Sequence, residues 1–160
     1  MKTRILALLS GSVLLACHSP MPEPANPVVA VPNRNPVANS PGSSSASTLD
    51  AYKADVARHI EALNNRQVYS ENPQALLRAV IVLRYALAAD GRLLSSEIVR
   101  SNHDREAENI ALASLKQSTP FPRPDARLLK AGKLIASETW LFNNDGRFQL
   151  RSIALPQLSE

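Results

Sequence analysis

The sequence predicts a small α+β domain in which an antiparallel sheet of three or four strands packs against two helices. Apolar residues recur at helical spacing in two segments, alternate with polar residues in others, and are separated by Asp-Gly-Arg turns. A stretch rich in Pro, Ser and Asn precedes these segments. We therefore place the domain at residues 49–160, after a flexible, disordered linker at residues 17–48.

The amino terminus has the pattern of a secretory signal. Lys2 and Arg4 precede an apolar run over residues 5–15, which is too short to cross a bilayer as a helix. The Leu-Leu-Ala-Cys motif that ends in Cys17 resembles the lipobox of bacterial lipoproteins, in which cleavage leaves an acylated cysteine. We predict a signal peptide at residues 1–16 and lipidation at Cys17. The residue after this cysteine is not Asp, which favours a periplasm-facing location on the outer membrane.

Composition excludes several classes of function. Loss of the signal peptide removes Lys2 and Arg4 and lowers the formal charge from +4 to +2, and aromatic residues make up only 4% of the chain. A nucleic-acid-binding surface needs concentrated basic charge, usually with stacking aromatics. One cysteine and three histidines offer little for a disulfide or a structural zinc site. We predict no nucleic-acid partner, no metal, no cofactor and no small-molecule substrate.

The domain is predicted to open with an amphipathic helix. Apolar residues follow one another at spacings of three and four, which is one face of a helix. These residues are Leu49, Tyr52, Val56, Ile60 and Leu63.

Two strands joined by a tight turn follow the first helix. Apolar residues alternate over residues 77–87, which is strand periodicity. Asp90-Gly91-Arg92 supplies the turn, because Asp-Gly tolerates the positive φ of hairpin loops. The second strand, residues 93–100, is expected to pair back antiparallel.

The second half of the domain is predicted as helix, strand, hairpin turn and short strand. Asp104 is placed to cap the helix, whose stripe of small residues suits close packing on a sheet. An alternating segment at residues 134–142 predicts a third strand. The turn at residues 143–147 repeats the Asp-Gly-Arg signal and leads to a short strand at residues 148–153.

The residues around the first hairpin resemble the C-terminal domain of the TonB/TolA family of envelope proteins. The Asp-Gly-Arg turn, Ile98-Val99-Arg100-Ser101, an alanine-rich helix and Pro120-Phe121-Pro122 follow in that family's order without a gap. The chain departs from the pattern at His103, where Gly is common, and at Ser70, where Pro is frequent after Tyr. The match is best over residues 79–122.

This resemblance implies a domain that performs no chemistry and binds partners by adding a strand to the edge of its sheet. The implied partners are an outer-membrane receptor or a Tol-Pal-type component, with the membrane contacted through the lipid anchor. The implied edge is the third strand: Leu134, Ile135, Ala136, Ser137, Glu138, Thr139, Trp140, Leu141 and Phe142. The alternative for this strand is an ordinary sheet position with Trp140 and Phe142 in the core.

Parts of the sequence are also compatible with a structural role, with hydrolysis or with anion binding. A structural envelope lipoprotein could use the same fold to contact cell-wall or Tol-Pal-type components without a transport role. Ser101, His103 and Asp104 are residue types that a hydrolase uses, but neighbours in one turn rarely converge as a triad. Arg78 and Arg84 could attract anionic groups from one strand face, for which ordinary solvation is the alternative.

Overall fold

The structure is a computed structural model that describes residues 41–159. It contains helices α1 (Leu49–Leu63) and α2 (Arg105–Gln117), and single 3-10 turns at Asn65–Gln67 and Ala126–Leu128. The strands are β1 (Ala79–Ala88), β2 (Leu93–Arg100), β3 (Lys133–Phe142) and β4 (Phe148–Leu150). The predicted signal peptide, Cys17 and most of the predicted linker lie outside the described residues.

The four strands form one antiparallel sheet in the order β2-β1-β3-β4. The predicted fold class is therefore confirmed. β1 and β3 are both 10 residues long and pair along their whole length, from Ala79 with Phe142 to Ala88 with Lys133. The last strand is shorter than predicted, because the chain turns at residues 151–153 immediately after Leu150.

One face of the sheet is buried beneath the two helices. The alternation predicted for β1 is confirmed, since Ile81, Leu83, Tyr85 and Leu87 are all buried. In β3, the buried row consists of Leu134, Ala136, Glu138, Trp140 and Phe142. Position along the strand therefore fixes which side chains meet the helices.

Both helices begin at capping residues. Thr48 Oγ1 accepts the N–H of Ala51 at 3.2 Å, and Asp104 Oδ1 accepts the N–H of Ala107 at 3.1 Å, which confirms the predicted cap. On α1, the central residues of the predicted face are buried, but Leu49 and Leu63 are 43% and 58% exposed. The prediction was wrong for these two, because they are the terminal residues of the helix and have helix neighbours on one side only.

Small residues on α2 allow the sheet to come close. Ala107, Ala111 and Ser114 are buried, as their spacing predicted. The hydroxyl of Ser114 accepts the indole N–H of Trp140 at 3.0 Å, which satisfies the polar end of the largest core side chain. Trp140 and Phe142 thus occupy the core.

The segment before α1 packs on the domain, although the prediction assigned it to the linker. The N–H of Ser44 donates to the carbonyl of Arg123 at 2.9 Å, and its hydroxyl donates to Asp55 at 2.6 Å. Ala46 is buried. Small side chains made this segment look like linker, but they also let its backbone approach the loop that holds Arg123.

The first hairpin turn and the Pro-Phe-Pro segment contact each other. Gly91 has φ +86°, and its carbonyl accepts the N–H of Phe121 at 2.9 Å. A Cβ atom at Gly91 would collide with the carbonyl oxygen of Phe121. Glycine is required here both for the backbone conformation and for the close approach.

Gly132 offers a matched comparison, because it has φ +75° but no described residue other than its chain neighbours comes within 4 Å of a Cβ at that position. Both Gly91→Ala and Gly132→Ala place alanine in the left-handed region. We expect Gly91→Ala to lower the free energy of unfolding by about 1–3 kcal/mol more, since only this alanine must displace a neighbouring backbone. Denaturant titration of the two variants measures the difference. Equal losses would show that the approach of Phe121 is not a constraint.

Candidate functional site: a gap at the outer edge of the third strand

The predicted edge strand, β3, is an interior strand over part of its length. β4 pairs with Trp140, Leu141 and Phe142, so the prediction of an edge was wrong for these three residues. The hairpin turn that follows β3 brings β4 back alongside them. Because β4 has only 3 residues, the remainder of β3 has no strand on this side among the described residues.

The free backbone groups follow from the hydrogen-bond alternation. On the β4 side, the N–H of Asn143 donates to Arg147 and the carbonyl of Thr139 accepts from Arg151. Alternate residues of an antiparallel strand direct their backbone groups to the same side. Ser137 and Ile135 therefore direct N–H and C=O outward, and no other described residue hydrogen-bonds to them there. We call these four groups the β3 gap.

Both ends of the β3 gap are closed by hydrogen bonds. At one end, the N–H of Arg151 donates to the Thr139 carbonyl at 3.0 Å. At the other, Lys130 and Lys133 exchange two backbone hydrogen bonds at 2.8 and 3.2 Å. The six residue steps between Lys133 and Thr139 span about 20 Å at ~3.3 Å per residue. A short extended segment fits this length.

Side chains from distant parts of the sequence surround the β3 gap. On one side, Leu49, Leu128 and Ile135 line an apolar recess together with Arg127 and Lys130. A polar recess at the Thr139 end is lined by Asp50, Lys53, Glu138, Thr139, Arg151 and Ser152. Ile135 is 54% exposed, although it lies in a strand next to the centre of the sheet. Ile135 points away from the helices, because it alternates with the buried row of β3, so its side chain lies on the uncovered face of the sheet.

Glu138 is buried directly behind the β3 gap. Its Oε1 accepts the N–H of Thr139 at 2.7 Å, whereas Oε2 has no hydrogen-bond partner within residues 41–159. The hydroxyl of Tyr85 is also buried and has no hydrogen-bond partner in that range. Glu138 belongs to the alternate-residue row that faces the helices. That alternation is the sequence signal that could have identified a buried carboxylate.

A second carboxyl group lies in the same region of the core. Glu61 Oε1 accepts the N–H of Leu150 at 3.3 Å. Burial is the main cause that raises the pKa of Glu61; the Leu150 hydrogen bond opposes this shift, and the charge of Glu138 adds to it. Burial and the charge of Glu138 therefore act on the pKa of Glu61 in the same direction.

The outer edge of β2 is the other candidate for strand addition. Ala88 donates to Arg92, so the pairing register with β1 directs the backbone groups of Ser96 and Ile98 outward. Two register shifts leave Leu94 and Val99 without partners in β1. Such irregularities twist an edge strand away from pairing. The β3 gap has no such irregularity, since β1 and β3 pair without a shift.

The residues considered for hydrolysis hold the start of α2 in place. Ser101 donates to Glu108 at 2.5 Å and accepts from the N–H of His103 at 2.8 Å. Asp104 caps the helix, and His103 is exposed with φ +66°. The three side chains do not form the hydrogen-bond chain of a triad.

Arg78 and Arg84 do not form one basic face. The Arg78 guanidinium contacts Asp104 at 2.8 Å and Glu106 at 2.6 Å, next to the start of α2. Arg84 pairs across the sheet with Glu97 at 3.1 Å. Arg78 is three-tenths exposed and bound by two carboxylates, so it acts as a link between β1 and α2. Ion pairing thus occupies both side chains that were considered for anion binding.

His59 is also engaged in packing. Its Nε2 lies 2.8 Å from the carbonyl oxygen of Ser118, and its ring meets Phe121 edge to face with centroids 5.7 Å apart. Tyr52, about two turns earlier on α1, donates to the carbonyl of Pro122 at 2.7 Å. α1 therefore contacts the Pro-Phe-Pro segment through both the Tyr52 and the His59 side chains.

The fold places the chain in the class of small α+β domains with a four-stranded antiparallel sheet and two helices. Comparison with protein-family models, with curated proteins and with solved structures found no match. The helices between residues 41 and 159 include none with the length and apolar character needed to span a membrane. In the same range, no three His, Cys, Asp or Glu side chains are grouped to hold a metal ion.

The raised pKa of Glu61 makes a prediction about stability. The folded state binds the proton more tightly than the unfolded state, in which the pKa is about 4.3. Ionisation above the raised pKa therefore lowers the free energy of unfolding. We expect Glu61→Gln, which keeps an acceptor for Leu150, to raise that free energy near neutral pH. This gain in the free energy of unfolding should vanish as the pH falls below the unfolded-state pKa of about 4.3. Denaturant unfolding across a pH series measures it.

The matched control is Glu71→Gln, because Glu71 is exposed. This variant should show no comparable gain at neutral pH. A Glu61→Gln effect that is constant from acidic to neutral pH would contradict the link to burial of the charge.

Proposed function

We propose that this chain is a lipid-anchored envelope protein that binds an extended segment of a partner protein by adding it to the β3 gap. The observation that carries the proposal is the pair of residues, Ile135 and Ser137, whose outward backbone groups have no hydrogen-bond partner among the described residues. Backbone groups at a sheet edge are the usual template for strand addition. The resemblance to TonB/TolA C-terminal domains supports this mode of binding.

The β3 gap is favoured over the outer edge of β2 on geometric grounds. β3 continues an unshifted ladder, so an added strand would find its donors and acceptors at regular spacing. On β2, two register shifts interrupt that spacing. The recess lined by Leu49, Leu128 and Ile135 also gives an added strand an apolar contact. Backbone pairing would supply affinity and this recess would supply selectivity.

The proposed activity is binding without catalysis. The polar residues around the β3 gap are held in the sheet, on α1 and after β4, where they border an open strand edge. Of the two groups of partners considered, outer-membrane receptors fit a transport role, whereas cell-wall or Tol-Pal-type components fit a structural role. Identification of the bound protein separates these two roles.

Ser137→Pro tests the binding site. Proline at this position removes only an outward N–H, because the ladder to β1 uses the alternate residues. A photoreactive amino acid in place of Ile135 should cross-link the partner in cells that make the full chain. We expect the adduct to disappear with Ser137→Pro and to persist with Ser137→Ala.

Ser96→Pro is the matched control, because it removes an outward N–H from the opposite edge of the sheet. The adduct should survive this substitution. Thermal unfolding of both proline variants checks that each remains folded. An adduct that survives in a folded Ser137→Pro variant would assign binding to another surface, whereas loss only with Ser96→Pro would assign it to β2.

Lipidation at Cys17 is tested independently. The only cysteine of the chain stands in the predicted lipobox. Intact-mass measurement of the mature protein should show loss of residues 1–16 and a gain from acyl chains. Cys17→Ala should leave an unacylated chain that is either released from membranes or retained as the precursor with residues 1–16 uncleaved. A mature wild-type chain with a free thiol would overturn the anchor without affecting the β3 gap.

A further inference from the structure

The positive and negative side chains around the β3 gap do not cancel one another. Three recesses border this gap, and Ile135 lines two of them. Among their charged residues, Arg127 is paired with Asp125 and Arg84 is paired with Glu97. These two arginines therefore contribute little net charge toward a ligand.

Four other cations line the same recesses and form no ion pair with any residue in the described range. They are Lys53, Lys130, Lys133 and Arg151, which we call the basic rim. Only two carboxylates there are likewise without an ion pair. One is Asp50, in the first turn of α1, and the other is Glu138, which is 2% exposed. The accessible charge along the gap is therefore positive.

The basic rim lies at both ends of the gap. Lys130 and Lys133 flank the backbone bridge at one end, and both side chains are exposed. Arg151 provides the N–H that closes the other end, and Lys53 lines the same recess from α1. The apolar recess with Leu49 lies at the Lys130 end. An extended ligand would meet positive charge at both of its ends.

We propose that the segment which adds to β3 is acidic and carries an apolar side chain. This inference rests on the strand addition proposed above and specifies the partner's chemistry. Asp or Glu residues near both ends of the segment would face the basic rim, and the apolar side chain would enter the recess of Leu49, Leu128 and Ile135. Complementary charge speeds encounter and excludes basic segments.

A peptide segment explains more of the site than an anionic membrane does. The basic rim alone would attract either ligand. The outward N–H and C=O groups of Ile135 and Ser137 need hydrogen-bond partners at strand spacing, which a lipid surface does not provide. Glu138 and Asp50 also lie within the same polar recess. A strand carries acceptors and donors at the required repeat.

Selection from a random heptapeptide library displayed on phage, with the purified full chain as target, tests the inference. We expect the selected peptides to be enriched in Asp and Glu and to bind the wild-type chain more weakly at high salt. The double variant Lys53→Glu, Lys133→Glu should bind these peptides about tenfold more weakly. Selection on the double variant should lose the acidic preference.

Control variants separate the failure of this inference from the failure of strand addition. Arg66→Glu reverses an exposed charge outside the three recesses and should leave peptide binding unchanged. Neutral peptides whose binding is abolished by Ser137→Pro would overturn the acidic preference and leave strand addition standing. Selected peptides that bind the folded Ser137→Pro variant equally would overturn strand addition itself.

Vesicle binding tests the alternative that the basic rim contacts an anionic membrane. Vesicles of phosphatidylcholine with and without phosphatidylglycerol are offered to the unacylated Cys17→Ala chain. We expect less binding to the anionic vesicles than to selected acidic peptides, and no slowing of amide exchange at Ile135 and Ser137. Vesicle binding that requires Lys53 and Lys133, together with a library that yields no acidic peptides, would assign the basic rim to the membrane.

Discussion

The pairing of β1 with β3 is the constraint on which the rest of the structure depends. These strands are separated by more than 40 residues of sequence, and they pair over 10 residues without a shift in register. A shift of one residue would turn the row of Leu134, Trp140 and Phe142 away from the helices. The same register decides which backbone groups of β3 face outward. Core packing and the candidate site therefore have one common cause.

The candidate site exists because two neighbouring strands differ in length. β3 has 10 residues and β4 has 3, so β4 can satisfy only one end of its neighbour. The chain then turns away after Leu150 and returns a single hydrogen bond, from Arg151 to Thr139. An exposed stretch of strand edge is a hazard for aggregation, which proteins commonly reduce with charge and short length. Here the stretch is short and its surroundings are basic, so charge protects it from unspecific pairing while leaving it open.

The local elements could be predicted because their signals lie within a few residues of one another. The alternation in β1, the Asp104 cap and the Asp-Gly turns are each formed by residues of a single strand, helix start or hairpin turn. The length of β4 and the position of β3 inside the sheet could not be predicted from the sequence, because they depend on pairing between distant segments. The basic rim shows the same limit, since Lys53, Lys130 and Arg151 come from three parts of the chain. No local pattern connects them.

Glu138 illustrates how the core and the edge are coupled. A buried carboxylate is unfavourable unless it is hydrogen-bonded, and Oε2 has no partner in the described part of the chain. Its other oxygen accepts the N–H of Thr139, the next outward donor after Ser137. The Glu138 carboxyl group thus accepts the Thr139 N–H, which would otherwise donate to a carbonyl of a neighbouring strand. Because that donor is already occupied, the length available to an added strand ends at Ser137, so the open edge is limited by a core residue as well as by β4.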